Sequence, residues 1–356
     1  MKRAWAGLRR HPLLSLAVAA FAAVLLGSCS TLSYYAQAVH GHMSLMQAAR
    51  PIDDWLRDDT TGAPLRDRLL HAREIRRFAS DELALPDNDS YKRYADIGRS
   101  AVVWNVFATP ELSLQLKTWC YPVVGCAAYR GYYERERAEA AAAELRAEGY
   151  DVGVTPVPAY STLGWFSDPL LNTFIESNDA DLARLLFHEL AHQVVYVSGD
   201  TRFNESFATA VERAGVARWL ARGADAKATA TYQLREQRRA QFIALLREHR
   251  ASLEALYAAP GDDAHKRAAK AAAFRQLRDD YARLRDGPWQ GWPGFDAFFA
   301  RDLNNAHLAA LAVYTDLVPG FEKLLAAEGS DFARFYARVK AIAALPEAER
   351  QRALGM

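Results

Sequence analysis

The sequence predicts an α+β fold that is mostly α-helical, with a small β-sheet region followed by two packed helices and a C-terminal helical region. Two observations support this prediction. Short runs rich in β-branched and aromatic residues, such as Ala101–Ala108 and Val152–Val157, occur only in the first half of the chain. From Asp200 onwards, apolar residues recur at helical spacing between loops marked by Pro and Gly.

Residues 1–28 are predicted to be a lipoprotein signal peptide, outside the fold. Four basic residues stand among the first ten, and the apolar run Leu13–Leu26 that follows is too short for a confident membrane span. The run ends in Leu26-Gly27-Ser28-Cys29, which is similar to a bacterial lipobox. An ordinary signal peptide or an uncleaved anchor is the alternative. We therefore expect lipid on Cys29 and a chain that faces the periplasm, with Ser30 favouring the outer over the inner membrane.

The rest of the chain, residues 29–356, is predicted to be a single domain. Approximately residues 29–200 form the part of this domain that contains the sheet and a helix near residue 190, and residues 201–356 form its helical part. The net charge is +1, and 4 of the 44 basic side chains lie in the signal, which has no acidic residue, so the mature chain is weakly acidic. This balance gives no indication of a nucleic-acid partner.

The predicted elements follow the chain in order. In the first part of the chain we expect helices at Leu32–Ala49, Leu65–Leu83 and Tyr132–Glu148. We also expect a strand pair, Ala101–Ala108 and Leu112–Trp119, and a further strand, Val152–Val157. Pro158–Phe166 is predicted to be a sheet edge carrying aromatic residues, and Asp168–Phe174 a short helix. The later helices are expected at Ala180–Tyr196, Glu205–Arg222, Ala226–Leu256, His265–Leu284, Leu303–Val318 and Asp331–Ala344.

Two of the three cysteines flank a turn-like stretch. Cys120 and Cys126 lie on either side of Tyr-Pro-Val-Val-Gly. In an oxidising compartment they are expected to form a disulfide, with two buried free thiols as the alternative. A metal site is disfavoured, because no further Cys or nearby His completes four ligands.

The segment His188-Glu189-Leu190-Ala191-His192 carries the chemistry. It lies in the apolar run Leu182–Val197, which predicts a helix, and residues four apart share one helix face. Two imidazoles so placed can bind one Zn²⁺, and Glu189 can take a proton from a zinc-bound water. Two helix histidines satisfied by hydrogen bonds are the structural alternative.

A hydrolytic zinc site needs a third protein ligand. No His follows the motif at the spacing of HExxHxxGxxH, so that class is excluded. Asn204 is expected to cap a helix folding back onto the site, and this makes Glu205 the predicted third ligand. Glu212, two turns further on, is the alternative ligand or a partner of a ligand. An ordinary acidic residue at a helix N-terminus is the structural interpretation of Glu205.

Together, HELAH and the segment Asn204-Glu205-Ser206-Phe207-Ala208 resemble the gluzincin metallopeptidases. The chain more closely resembles the bacterial "putative aminopeptidase" family of envelope lipoproteins, over nearly its whole mature length. Three further segments carry this resemblance: Tyr160–Leu170, Trp119–Cys126, and Asn304-Asn305-Ala306 with Tyr314. The chain has no Gly-Ala-Met-Glu-Asn segment of the kind with which gluzincins grip a peptide amino terminus.

The resemblance implies a zinc-dependent peptidase that hydrolyses peptides, most simply as an aminopeptidase. An oxyanion donor is expected from a downstream Tyr or His. Tyr314 is the first candidate, with His307 and Tyr160 as alternatives. Two other functions remain open: an endopeptidase in outer-membrane quality control, or a non-enzymatic envelope lipoprotein with a structural metal site.

Overall fold

The computed structural model describes residues 34–121, 125–159, 161–223, 226–312 and 317–355. The chain divides into two compact units, one ending at Ala48 and the other running from Ala49 to Met356. In the first unit the described residues form one helix, α1, over residues 34–48. Every other element belongs to the second unit, where helices far outnumber strands, and this confirms the predicted fold class.

The part of the second unit before the motif helix contains all of the described strands together with three helices. These are β1 (Arg50–Pro51), α2 (Ile52–Arg57), α3 (Ala63–Leu83), β2 (Arg93–Ala95), β3 (Val103–Pro110), β4 (Trp119–Tyr121), β5 (Gly125–Ala127), β6 (Arg130–Tyr132), α4 (Arg135–Ala147), β7 (Tyr150–Val157) and β8 (Leu170–Leu171). The described residues after β8 form helices and loops only. The helices are α5 (Asp179–His192), α6 (Thr201–Gly223), α7 (Ala226–Ala258), α8 (Asp263–Asp286), α9 (Asp296–Phe299), α10 (Asn305–Ala312), α11 (Val318–Ala327), α12 (Phe332–Ala343) and α13 (Glu347–Ala353).

The described strands form three small sheets. In the first, β2 lies between β1, which is antiparallel to it, and β8, which is parallel. In the second, β3 lies between β6 and β7, both antiparallel to it. The third is the hairpin β4–β5, in which Cys120 lies opposite Cys126.

The predicted pairing of Ala101–Ala108 with Leu112–Trp119 is wrong. The first segment is the strand β3, but residues 112–118 form turns and irregular backbone. Strand β7 pairs with β3 along its whole length and β6 occupies part of the other edge, so little of β3 is left for a third partner. Lys117 N donates to the remaining carbonyl of Ala108 at 2.8 Å, and Leu114 turns into the helical core instead.

The region before the motif helix also differs from the prediction. The described residues of Pro158–Phe166 form no strand, and they turn sharply at Leu163 and Gly164, whose φ angles are 57° and 81°. The predicted helix Asp168–Phe174 is replaced by strand β8 and a run of turns. Strand β8 pairs with β2 at Tyr94 and Ala95, so a distant partner overrides the local preference of this short segment.

Helices α5 and α6 pack against each other at the centre of the unit. Helix α5 is capped by the side chain of Asn178, which accepts a hydrogen bond from Asp181 N, and it begins at Asp179, one residue before the predicted start at Ala180. Gly215 on α6 permits close helix contact, since a Cβ there would come within 2.7 Å of both Leu83 and Phe187. The buried apolar side chains of these two helices include Leu182, Leu186, Leu190, Phe203, Phe207 and Val211.

A second core joins the C-terminal helices to the sheets. Aromatic rings stack face to face in it, with centroids 3.9 Å apart in the pair Phe242–Phe295. Asn305 connects this helical region to the strands: its side chain donates to Glu111 O at 2.8 Å and accepts from the Tyr257 hydroxyl at 2.9 Å. Among the described helices, none combines the length and the apolar character needed to span a membrane.

Candidate metal centre

The motif helix α5 and the returning helix α6 hold the candidate site between them. Helix α5 ends at His192, four residues before the predicted end, and α6 begins at Thr201, four residues before the predicted start. Asn204 therefore lies inside α6 and does not cap it. Its side-chain amide instead pairs with Val197, accepting from the backbone N and donating to the backbone O, both at 2.8 Å. This pairing fixes the connection that brings Glu205 back toward the motif.

Three side chains converge at the C-terminal end of α5. The Nε2 atoms of His188 and His192 lie 3.2 Å apart, and Oε2 of Glu205 lies 3.2 Å from Nε2 of His188. The other oxygen of Glu205 is 3.8 Å from Nε2 of His192. Ligands held about 2.0–2.1 Å from a tetrahedral zinc ion lie roughly 3.3 Å from one another. The three residues therefore form a group that could hold a metal ion.

Glu212 lies on the far side of His188. The Nδ1 atom of His188 lies 2.9 Å from Oε2 of Glu212, so a proton on Nδ1 would be donated to this carboxylate while Nε2 faces Glu205 and the metal position. Arg184, one turn before His188, approaches the second oxygen of Glu212 at 3.5 Å. Burial alone would raise the pKa of Glu212, but the hydrogen bond from His188 and the charge of Arg184 outweigh it and lower that pKa. Glu212 is thus placed to orient a ligand.

The protonation states of the other two members suit a metal site. Burial lowers the pKa of His192 to about 4, so its imidazole is neutral near pH 7, the form that binds metal. Burial would raise the pKa of Glu205, yet the contacts with His188 and His192 outweigh it and keep the carboxylate ionised. Within the described part of the chain, Nδ1 of His192 is buried without a hydrogen-bond partner, so this ring is held less firmly than that of His188.

Glu189 supplies the one carboxylate of the motif. Burial raises its pKa to about 7, and the negative charges of Glu205, Asp168 and Glu212 act in the same direction, while the charge of His188 opposes them. A carboxyl group with such a pKa both takes up and releases a proton near neutral pH. The arrangement can therefore combine a metal ion with a proton-transfer group.

Several residues near this site escaped the sequence analysis. Tyr196 packs its ring edge-on against His192, with centroids 6.5 Å apart. Gln193, the first residue beyond α5, accepts from the side chain of Asn88 at 2.7 Å and donates to Ser90 at 3.2 Å. Arg184 and Tyr196 could have been found from sequence, because each lies four residues from a motif histidine within the predicted helix and so on the same helix face.

The remaining predicted site residues fall into two groups. Cys29, Tyr160 and Tyr314 lie outside the described residues, so their predicted roles stay predictions. His307 is described: its ring lies between those of Phe107 and Phe298, and its Nδ1 pairs with the side chain of Asn304 at 3.0 Å. These contacts belong to the junction of α10 with the sheet.

The expected covalent link between the two cysteines is present. Cys120 and Cys126 form a disulfide that joins β4 to β5. This confirms the pairing that the turn-like spacing predicted.

Comparison with known families shows which family this chain matches. The model of the family described as "putative aminopeptidase" matches residues 33–354, which is nearly the whole chain. No curated protein and no solved structure matches at a significant level.

Proposed function

Since the chain belongs to the "putative aminopeptidase" family, we propose that it is a zinc-dependent peptidase, most simply an aminopeptidase. The family supports peptide hydrolysis in general terms. The observation that carries the finer proposal is the convergence of His188, His192 and Glu205 beside the buried carboxylate of Glu189.

In this proposal His188 and His192 bind zinc through Nε2 and Glu205 through its carboxylate. The ion, when bound, acts as a Lewis acid and lowers the pKa of water. Nitrogen and carboxylate ligands are the set that catalytic zinc sites use, and three protein ligands leave one position open. Glu212 holds His188 in the required tautomer through Nδ1.

Glu189 is proposed as the general base. Its carboxylate accepts a proton from the attacking water and then delivers a proton to the departing amine. A pKa of about 7 suits both halves of this task. A site that served stability alone would have no use for this carboxylate, which is why an enzyme is favoured over a non-enzymatic lipoprotein with a structural metal.

The identity of the oxyanion donor and the kind of peptide that is cleaved are further parts of this proposal. Tyr314 stays the first candidate for the donor, on the family resemblance of the Asn-Asn-Ala segment that precedes it. Asn304 and Asn305 make hydrogen bonds that attach α10 to the sheet, so a structural role accounts for that part of the segment. The family description favours removal of amino-terminal residues over endopeptidase action in outer-membrane quality control.

The proposed location is the bacterial cell envelope, with the protein facing the periplasm and anchored through lipid on Cys29. The disulfide between Cys120 and Cys126 supports export, because disulfides persist in oxidising compartments and are rare in the cytosol. The lipobox-like sequence favours a lipid anchor, more simply in the outer than in the inner membrane.

The test is metal binding and peptide cleavage by the purified protein. We expect about one zinc per chain and hydrolysis of a peptide library, read by mass spectrometry, with residues leaving one at a time from the amino terminus. Glu189→Gln should abolish cleavage and keep the zinc, while Glu254→Gln, a change at an exposed helix position, should alter neither. Unchanged cleavage by Glu189→Gln would contradict the mechanism, and internal fragments would replace the aminopeptidase assignment by an endopeptidase.

A further inference from the structure

Two neighbouring aromatic side chains stand in solvent beside the candidate site. Trp165 is 83% exposed and Phe166 50% exposed, and Tyr196, on the segment after α5, is 47% exposed. A folded domain gains stability by burying such rings, and contiguous exposed apolar groups commonly mark a binding surface. We refer to these three residues as the aromatic rim.

The loop that carries Trp165 and Phe166 has a fixed backbone. Thr162 N donates to the buried carboxylate of Asp168 at 2.9 Å, and Phe166 N donates to the Thr162 hydroxyl at 3.1 Å. Leu163 adopts a left-handed conformation with a φ of 57°, which is unusual for a non-glycine residue. These internal bonds fix the backbone from which the two exposed rings project.

The loop lies against the end of the motif helix. At Gly164 a Cβ would meet the side-chain oxygen of Gln193 at 3.4 Å, directly after α5. The hydroxyl of Ser161 lies 3.5 Å from the backbone oxygen of Glu189. The ring of Tyr196 contacts His192. The loop that carries Trp165 and Phe166, and Tyr196 itself, therefore both adjoin the residues proposed to carry out the reaction.

We propose that the aromatic rim binds a bulky apolar side chain of the peptide substrate. This inference rests on the proposed function and narrows it, because it assigns the enzyme to peptides with large apolar residues near the cleaved bond. Fixed aromatic rings suit this role, since they bury a large area with little loss of conformational freedom. The occupant is a peptide because the rim adjoins Glu189 and His192, where a bound chain must pass.

The test uses the zinc-loaded full chain carrying Glu189→Gln, so that binding is measured without turnover. The probes are two octapeptides that contain no Trp and differ only at the two amino-terminal positions, Phe-Leu in one and Ala-Ser in the other. By calorimetry we expect the apolar peptide to bind at least about tenfold more tightly. Adding Trp165→Ala should remove most of this difference. Adding Leu234→Ala, which trims an exposed apolar residue on α7, should leave it intact.

The outcomes separate this inference from the proposed function. Equal affinity for the two peptides, or a preference that survives Trp165→Ala, would overturn the role of the rim even if the wild type cleaves both. A preference that depends on Trp165 in a protein that cleaves neither peptide would contradict the peptidase and retain the rim. A last experiment measures binding of the protein to phosphatidylethanolamine–phosphatidylglycerol vesicles. If Trp165→Ala lowers vesicle binding but leaves the preference for the apolar peptide unchanged, the rim contacts a membrane and the inference is wrong.

Discussion

Removal of the Glu212 carboxylate, which lies beside Nδ1 of His188, tests how the metal ligands are oriented. Glu212 does not reach the three converging ligand atoms, yet it accepts from Nδ1 of His188 at 2.9 Å. We expect Glu212→Ala to weaken zinc binding without abolishing it. Glu205→Ala, which removes a ligand itself, should have the larger effect.

The magnitude follows from the position of Glu212. Its side chain is only 9% exposed, so solvent screens its interaction with His188 very little. Loss of a carboxylate that orients a ligating histidine typically costs 10- to 100-fold in metal affinity, or about 1.4–2.7 kcal/mol. We expect about 100-fold for Glu212→Ala. Glu212→Gln should cost about tenfold, because the amide oxygen still accepts the hydrogen bond but carries no charge.

The assay is competition for zinc against a chromophoric chelator, with circular dichroism to confirm that each variant is folded. Glu236→Gln is the matched control, because Glu236 pairs with Arg213 and Arg239 in the same charged region, and its described ion pairs are with these arginines and not with a histidine of the site. A zinc affinity of Glu212→Ala within twofold of the wild type, with Glu205→Ala also unchanged, would refute this account of the site.

Three further predictions concern stability. Asn204→Ala loses both hydrogen bonds to Val197 in a buried position and should cost about 2–3 kcal/mol in urea unfolding, with Asn204→Asp losing roughly half; an unchanged midpoint would contradict this. Burial raises the pKa of Asp168 from 3.8 to about 6, so the folded protein holds this proton more tightly than the unfolded chain does. The free energy of unfolding of the wild type should therefore fall by up to about 3 kcal/mol as pH rises from 4 to 6. A similar fall in Asp168→Asn would show that another group is responsible. Reducing the disulfide, or replacing Cys120 and Cys126 with Ser, opens a loop of sequence separation 6 and should cost about 2 kcal/mol, seen as a lower urea midpoint than that of the oxidised protein.

Local rules were sufficient for the chemistry of the motif. A separation of four residues places His188 and His192 on one face of any α-helix, so their convergence needed no knowledge of the fold. The spacing to Glu205 allowed a turn and an antiparallel return, and the structure contains that return. The mostly helical fold class and the disulfide were predictable for similar reasons, because periodicity and a short Cys spacing are properties of the local chain.

Local rules failed where a distant partner decided the outcome. Leu112–Trp119 has a strand-like composition, but β3 already pairs with β6 and β7. Asn204 has the residue type of a helix cap, yet its amide pairs with Val197 and the helix begins three residues earlier. The sequence does not show which of these competing interactions is the more stable, since the stability of each depends on which residues the rest of the chain brings nearby.

The sequence by itself determined which residue types could act: two histidines and a glutamate on one helix, and two acidic residues, Glu205 and Glu212, on the next. It could not distribute roles between those two, because both lie on the same face of α6. The packing of α6 against α5 in the tertiary structure brings Glu205 to Nε2 of His188 and Glu212 to Nδ1. An imidazole has two nitrogens on different edges, and only packing in three dimensions sets which carboxylate each one meets.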